Sequence, residues 1–254
     1  MIEVKNIYKS FDEVPVLKDV STIFETGKTN LIIGKSGSGK TVLMKCVVGI
    51  HGIDSGEILY DGRDITKMRR KERNYLRREI GMLFQGSALF DSMTVLENVM
   101  FPLEMFSYDS EAEKKERATF CLERVNLGHA LDLYPSEISG GMQKRAAIAR
   151  AIVLNPQYLF CDEPNSGLDP QTAILIDKLI QEITHEFNIT TVINTHDMNS
   201  VMEIGENIIF IEDGEKAWQG TKDEIYNTGC ETLEEFVFAS ELYKEVKIAH
   251  KQLK

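Results

Sequence analysis

The residues with the clearest chemical promise are Gly34-Lys35-Ser36-Gly37-Ser38-Gly39-Lys40-Thr41. Their spacing fits G-x-x-x-x-G-K-[ST], which means phosphate binding only between a strand and a helix. That context is present, because Leu31-Ile32-Ile33 reads as a buried parallel strand and Val42 to Val48 as a helix with an apolar face. Glycines let the backbone turn tightly, so that successive N–H groups and a helix N-terminus aim at one anion. Lys40 adds a point charge for the outer phosphates, and the Thr41 hydroxyl is a ligand type for Mg²⁺. Average residue usage gives on the order of one chance match per hundred chains of this length, before the flanking pattern is considered. The stretch is expected to hold a nucleotide.

In an open α/β sheet, ligands sit beyond the carboxyl ends of the strands. Asp162 follows the apolar run Tyr158-Leu159-Phe160-Cys161 and suits the carboxylate that holds Mg²⁺, usually through water. Glu163, next to it, suits a group that orients or activates an attacking water. Gln85 ends the run Ile80 to Phe84 and offers a neutral amide to metal and water. His196 follows Thr190 to Asn194 and can hydrogen-bond a γ-phosphate. Taken singly, a strand-end histidine is more often structural and an Asp-Glu pair is usually a solvated turn. Their order and their shared placement after apolar strands give the set its meaning. Ser139-Gly140-Gly141-Met142-Gln143 is a second glycine-rich helix start, but it has no lysine. It offers N–H groups and a hydroxyl to phosphate without completing a site, so it is expected to serve another subunit's nucleotide.

The elements that must position these groups follow from hydrophobic period. Residues 1 to 33 alternate as an antiparallel sheet does, and Ser55 to Gly62 adds one more hairpin strand. Residues 86 to 135 carry helical periodicity at Met93 to Met100 and Ser110 to Val125 and no strand run, a helical insertion between core strands. A long helix through Leu154, a helix from Pro170 through Glu186 and a hairpin about Glu212 to Glu215 complete the core. Residues 221 to 254 read as terminal helices. Strands alternating with helices from residue 29 to 205 imply an α/β fold, a parallel sheet covered by helices. Phe11, in a turn-like neighbourhood, is either a base-stacking aromatic or a core residue. The basic stretch from Thr66 to Arg78 is either a solvated helix face or a positive face for anionic lipid or an acidic partner.

At 254 residues the chain can bury a substantial core, and its 43% hydrophobic and 27% charged residues are ordinary for a globular protein. A net charge of −11 argues against a protein whose main business is holding nucleic acid. No apolar run approaches the roughly 18 residues needed to cross a bilayer, and the N-terminus lacks a secretory pattern. Cys46, Cys121, Cys161 and Cys230 are scattered without a C-x-x-C pair, which suits reduced structural thiols.

With these motifs in this order, the chain resembles the ATP-binding subunit of an ABC transporter over nearly its whole length. The resemblance implies a P-loop NTPase (RecA-like) core with an N-terminal antiparallel β subdomain and an inserted α-helical subdomain at about 86–135. The ATPase domain would span 1–228, with a C-terminal helical extension at 229–254. It implies ATP and Mg²⁺ as cofactors, with Glu163, His196, Gln85 and Lys40 catalytic and Thr41, Gln85 and Asp162 on the metal. Nucleotide contacts would come from Phe11, Gly34, Ser36, Gly37, Ser38, Gly39, Lys40 and Thr41. Ser139, Gly140, Gly141, Met142, Gln143 and Asp169 would contact the nucleotide of a second copy in an ATP-sandwich homodimer. A membrane permease is the implied partner, with the chain peripheral on the cytoplasmic face of the inner membrane.

Within the family, Leu83 to Asp91, Glu97 to Leu103 and Met142 are similar to the MlaF-type subgroup, which drives phospholipid transport between bacterial membranes beside an MCE-domain protein. Ile138, Met142 and Asn165 depart from the commonest family residues, and none of these departures removes a catalytic group. The alternatives are an ATPase for small-solute transport, a soluble ABC ATPase acting on DNA or ribosomes, and an ATP-sensing subunit without turnover.

Overall fold

Alternating apolar residues fold the N-terminus into a hairpin. Strands β1 (Ile2–Phe11) and β2 (Val14–Phe24) pair antiparallel, with Ile2 opposite Phe24 and Phe11 opposite Val14. The turn between them is Asp12-Glu13, both in the left-handed region. Ile2 and Val4, and Val20 and Phe24, are buried at the spacing a period of two requires, and a register shift between Val4 and Ile7, with Asn6 left-handed, keeps Ile7 buried too. Strand β3 (Thr29–Ile33) is buried at every residue and leads into helix α1 (Lys40–Val48). Strands β4 (Ser55–Tyr60) and β5 (Arg63–Asp64) extend the first sheet, in the order β2-β1-β4-β5.

The computed structural model describes residues 1–239, which fall into two compact units. The first comprises Met1–Lys67 and the described residues from Ile193 on; the second is Met68–Val192.

The second unit opens with helix α2 (Arg70–Leu76) and strand β6 (Ile80–Leu83). Helices α3 (Val95–Phe106) and α4 (Glu111–Arg124) follow, each opened by a capping box, at Thr94 and Glu97 and at Ser110 and Glu113. Helix α5 (Gly140–Ile152), strand β7 (Tyr158–Asp162) and helix α6 (Pro170–Glu186) complete it, with strand β8 (Thr190–Asn194) beginning in this unit and ending in the first. β6 and β7 run parallel, with Ile80 beside Tyr158 and Leu83 beside Cys161. β6 is only alternately buried, because it is the last strand of its sheet. From sequence alone the run Ile80 to Phe84 reads as a buried strand. Gly81 brings it close to α5, since a Cβ there would lie 2.3 Å from the Ala151 carbonyl oxygen. The exposed α2 carries Arg70, Lys71 and Arg73 of the basic stretch, with only Leu76 buried.

The first unit then continues through helix α7 (Met198–Ile204), strands β9 (Asn207–Glu212) and β10 (Glu215–Gly220), and helix α8 (Glu231–Val237). β9 lies parallel to β3, pairing Asn30 with Asn207 and Ile33 with Phe210, and β10 returns antiparallel to β9. The backbone N–H of Thr195, just past β8, donates to the Ile32 carbonyl at 3.2 Å. This pure apolar packing of Leu31, Ile32, Ile33 and Ile208 to Ile211 is what a strand buried on both faces demands. Helix α7 was not foreseen, since Met198-Asn199-Ser200 gives no clear apolar period. Of the expected terminal helices, α8 and a 3-10 turn at Glu224–Asn227 are present, and residues 240–254 lie outside the described residues.

Candidate functional site

In the first unit, β3 delivers the chain to a loop that only glycine can build. Gly34 has a φ of +150°, and a Cβ on it would lie 2.2 Å from the Ile211 carbonyl oxygen of β9. Gly39, at φ +103°, is the N-cap of α1 and offers no side-chain cap, so the first-turn amides are left to something else. No acidic residue sits in that turn. Lys40 is buried, and its Nζ donates to the carbonyls of Gly34 and Lys35, each at 2.9 Å. Ser38 Oγ is also buried and has no hydrogen-bond partner among the described residues. Gly37 borders open space and Ser36 is exposed. An uncapped helix start, a lysine and an orphaned hydroxyl on one short loop fit a polyphosphate.

Thr41 is held from the side, its Oγ1 accepting from the Asn194 amide nitrogen at 3.1 Å. Asn194 ends β8, so the same strand that fixes Thr41 presents exposed His196 two residues later. Phe11 is 39% exposed at the hairpin tip, edge-on to His51 with ring centroids 5.3 Å apart. Lys9 Nζ lies 5.1 Å from the centre of the Phe11 ring.

In the second unit, β7 ends at Asp162, and Glu163 follows with a φ of +48°. A left-handed residue with a Cβ costs about 1–2 kcal/mol, and such cost is found where the surroundings over-determine the backbone. The Gln85 amide nitrogen donates to Glu163 Oε2 at 3.2 Å and to Ser166 Oγ at 3.3 Å. Thus two of the strand-end groups read from sequence meet directly. The Thr41 hydroxyl in the first unit and the Asp162 carboxylate in the second are each hard oxygen donors, the ligand type that Mg²⁺ takes.

Ser139 caps α5, its Oγ accepting from Met142 N at 3.3 Å, and both Ser139 and Gly140 are exposed. A Cβ on Gly141 would lie 2.7 Å from Thr172 Cγ2, so α5 approaches α6 through that glycine. Asp169 caps α6 by accepting from Gln171 N and Thr172 N, and Thr172 Oγ1 donates to it at 2.6 Å. Those hydrogen bonds, the Thr172 hydroxyl first, hold the Asp169 carboxyl below its ordinary range. Ser139, Gly140, Gly141 and Asp169 line one cavity of about 560 Å³. Gln143, expected to face nucleotide, spends its amide nitrogen on the Pro135 carbonyl at 2.9 Å. Met142 is half-buried.

Sequence reasoning passed over Asn194, Lys144 and Arg150. Lys144 is buried and donates to the Gln85 carbonyl, while Arg150 donates to the Ser87 and Ala88 carbonyls, both at 2.7 Å. The available hint was two cations flanking the apolar run Ala146 to Ala149, which reads more naturally as a helix edge.

A family model for ABC transporters matches residues 17–166. The chain is 38% identical to the methionine import ATP-binding protein MetN of Clostridioides difficile, across 93% of this chain and 74% of that one. It is 40% identical to MetN of Haemophilus influenzae, across 93% and 70%. Among solved structures, a dimeric post-hydrolysis state of the ATP-binding cassette MJ0796 bound to ADP and Pi superposes with a TM-score of 0.78. That likeness is at 33% identity and covers 87% of this chain and 99% of that one.

Proposed function

Because the chain belongs to the ABC transporter ATP-binding family, an ATPase family that uses ATP and Mg²⁺ to drive transport, we propose that it powers import of a small solute through a separate permease. Family members form dimers and pair with membrane permease subunits. No helix among the described residues is long and apolar enough to cross a membrane.

The observation that carries the ATP-driven reading is the uncapped start of α1 with buried Lys40 beneath it. There the amides and the lysine bind the phosphates, and Gly34, Ser36, Gly37, Ser38 and Gly39 set the loop. Phe11 takes the base on its exposed face. Thr41, Gln85 and Asp162 would hold Mg²⁺, which when bound offsets phosphate charge. Glu163 orients and deprotonates the attacking water, His196 contacts the γ-phosphate, and catalysis is positioning plus charge stabilisation. Ser139, Gly140, Gly141, Met142, Gln143 and Asp169 face the nucleotide of a second copy, arranged head to tail. Exposure of Ser139 and Gly140 supports this outward role. Glu163→Gln should bind ATP and persist as a dimer; a monomer in gel filtration with ATP-Mg²⁺ would exclude the sandwich.

The names of the relatives support a small solute as cargo. Phospholipid is the second reading, with an MCE-domain partner at the inner membrane. It rests on the likeness at Leu83 to Asp91 and Glu97 to Leu103, which the fold ties into one piece. Buried Asn98 accepts from Phe90 N at 2.7 Å and donates to the Phe90 carbonyl at 3.1 Å. Mild-detergent purification of the tagged chain from membranes separates the two. Recovery of a solute permease with a solute-binding protein supports import; phospholipid with an MCE-domain protein replaces that cargo.

A further inference from the structure

We propose that Lys144 and Arg150 are positioning residues for hydrolysis, two side chains of α5 that hold the backbone at residues 85–88 so that the Gln85 amide stays on Glu163. The proposal rests on the roles given above to Gln85 and Glu163.

The geometry is a chain of three links. Lys144 Nζ donates to the Gln85 carbonyl, and the Arg150 guanidinium donates through separate nitrogens to Ser87 and Ala88. Gln85 then donates to Glu163 and Ser166. Charge-assisted bonds to carbonyls are the stronger kind, and a forked guanidinium fixes direction as well as distance.

The segment they hold would not keep this shape unaided. Ser87 and Ala88 are consecutive left-handed residues, at φ +61° and +50°, and neither is glycine. Gln85, Gly86 and Ala88 are exposed, and Gly86 has nothing within 4 Å of where a Cβ would sit, so apolar packing does little to anchor the turn. Backbone held in such a conformation needs surroundings that over-determine it. Lys144 is buried, a costly place for an ammonium. A lysine is kept 4% exposed only where it is well paired.

A purely structural clamp would lower stability and leave turnover per folded molecule alone. A positioning clamp acts through Gln85, and steady-state ATPase kinetics on the full chain in four variants separates the two. Lys144→Met should lower kcat about tenfold with KM for ATP within about twofold, since small misplacements near a reacting centre cost that order. Lys144→Arg should recover part of the loss. In a Gln85→Ala background, Lys144→Met should add less than about twofold. A full multiplicative loss in that background, or wild-type kcat for Lys144→Met, overturns the proposal. Unchanged kcat for Gln85→Ala alone would instead overturn the role assigned to Gln85, and the clamp with it. If Lys144→Met does not fold, Arg150→Lys keeps the charge, loses the fork and is read in the same cycle.

Discussion

Helices α1 and α5 both begin beside glycines, and they begin in opposite ways. Helix α1 starts from left-handed Gly39 with no side-chain cap, and its first residue is a buried lysine turned back over the loop. Helix α5 starts from Ser139 in extended conformation, satisfies one of its own amides with that hydroxyl, and leaves Ser139 and Gly140 at the surface. Both are anion-attracting ends by their dipoles. The first holds its unmet donors inside a loop with a cation of its own, which suits an enclosed anion. The second has no cation in its first turn and uses Gly141 to sit against Thr172, so it presents a surface. In the proposed function, nucleotide is bound at one end and met at the other.

The strongest way to break this comparison is to remove the enclosing cation. Lys40→Ala should weaken ATP binding by 100-fold or more, a loss on the order of 3 kcal/mol for a buried charged donor aimed at phosphate. Ser139→Ala should leave the affinity of the monomer within about twofold while lowering hydrolysis at dimer-forming concentrations. Fluorescent-nucleotide titration of dilute protein reads the first quantity and phosphate release the second. Equal loss of monomer affinity in both variants would mean that the two helix starts do one job.

Gly141→Ala sharpens the difference on a smaller scale. The new methyl would press on Thr172 Cγ2, and Thr172 cannot swing aside without leaving Asp169. Overpacking of this kind costs about 1–3 kcal/mol. Hydrolysis should fall several-fold with binding to the monomer kept, and Thr172→Ser, which removes the methyl and keeps the hydroxyl, should restore it. Failure of that rescue would put the fault elsewhere than the α5–α6 contact.

Both helix starts were legible because glycine spacing between an apolar run and a helical period has few other uses. The strand-end groups stood out by their placement after apolar runs, and among them the Gln85 amide donates to Glu163, a contact that order alone does not specify. Contacts across long separations were not legible. Asn194 looked like the end of a strand, yet its amide is set on Thr41, 153 residues away in the chain. Lys144 reads from sequence only as part of a long helix, yet it is buried against the Gln85 carbonyl. Period and spacing report which face of an element is apolar; they do not report which distant carbonyl a long cation will find. The cargo was illegible for a further reason. The segments that resembled lipid-transport subunits are the end of β6 with the loop after it and the first half of α3, tied together by Asn98, and such bonds report the fold rather than the cargo.

The smallest expected effect tests the Asp169 cap beneath the presented surface. Its carboxyl has a folded-state pKa below the ordinary 3.8, chiefly through the Thr172 hydroxyl. A depressed carboxylate contributes stability that is fully present above its unfolded value and is lost as pH falls through its folded value. Asp169→Asn keeps an acceptor for Gln171 N and Thr172 N and removes the charge that the helix dipole favours. Thermal melts of both forms should therefore differ by a small, constant amount at neutral pH. The gap should close once pH drops below 3.8, where the wild-type carboxyl takes up its proton. Because the side chain is exposed, added salt should shrink the gap at neutral pH as well. A gap that persisted in acid would mean that Asp169 holds α6 through its shape and hydrogen bonds alone, with its charge reserved for whatever meets Ser139 and Gly140.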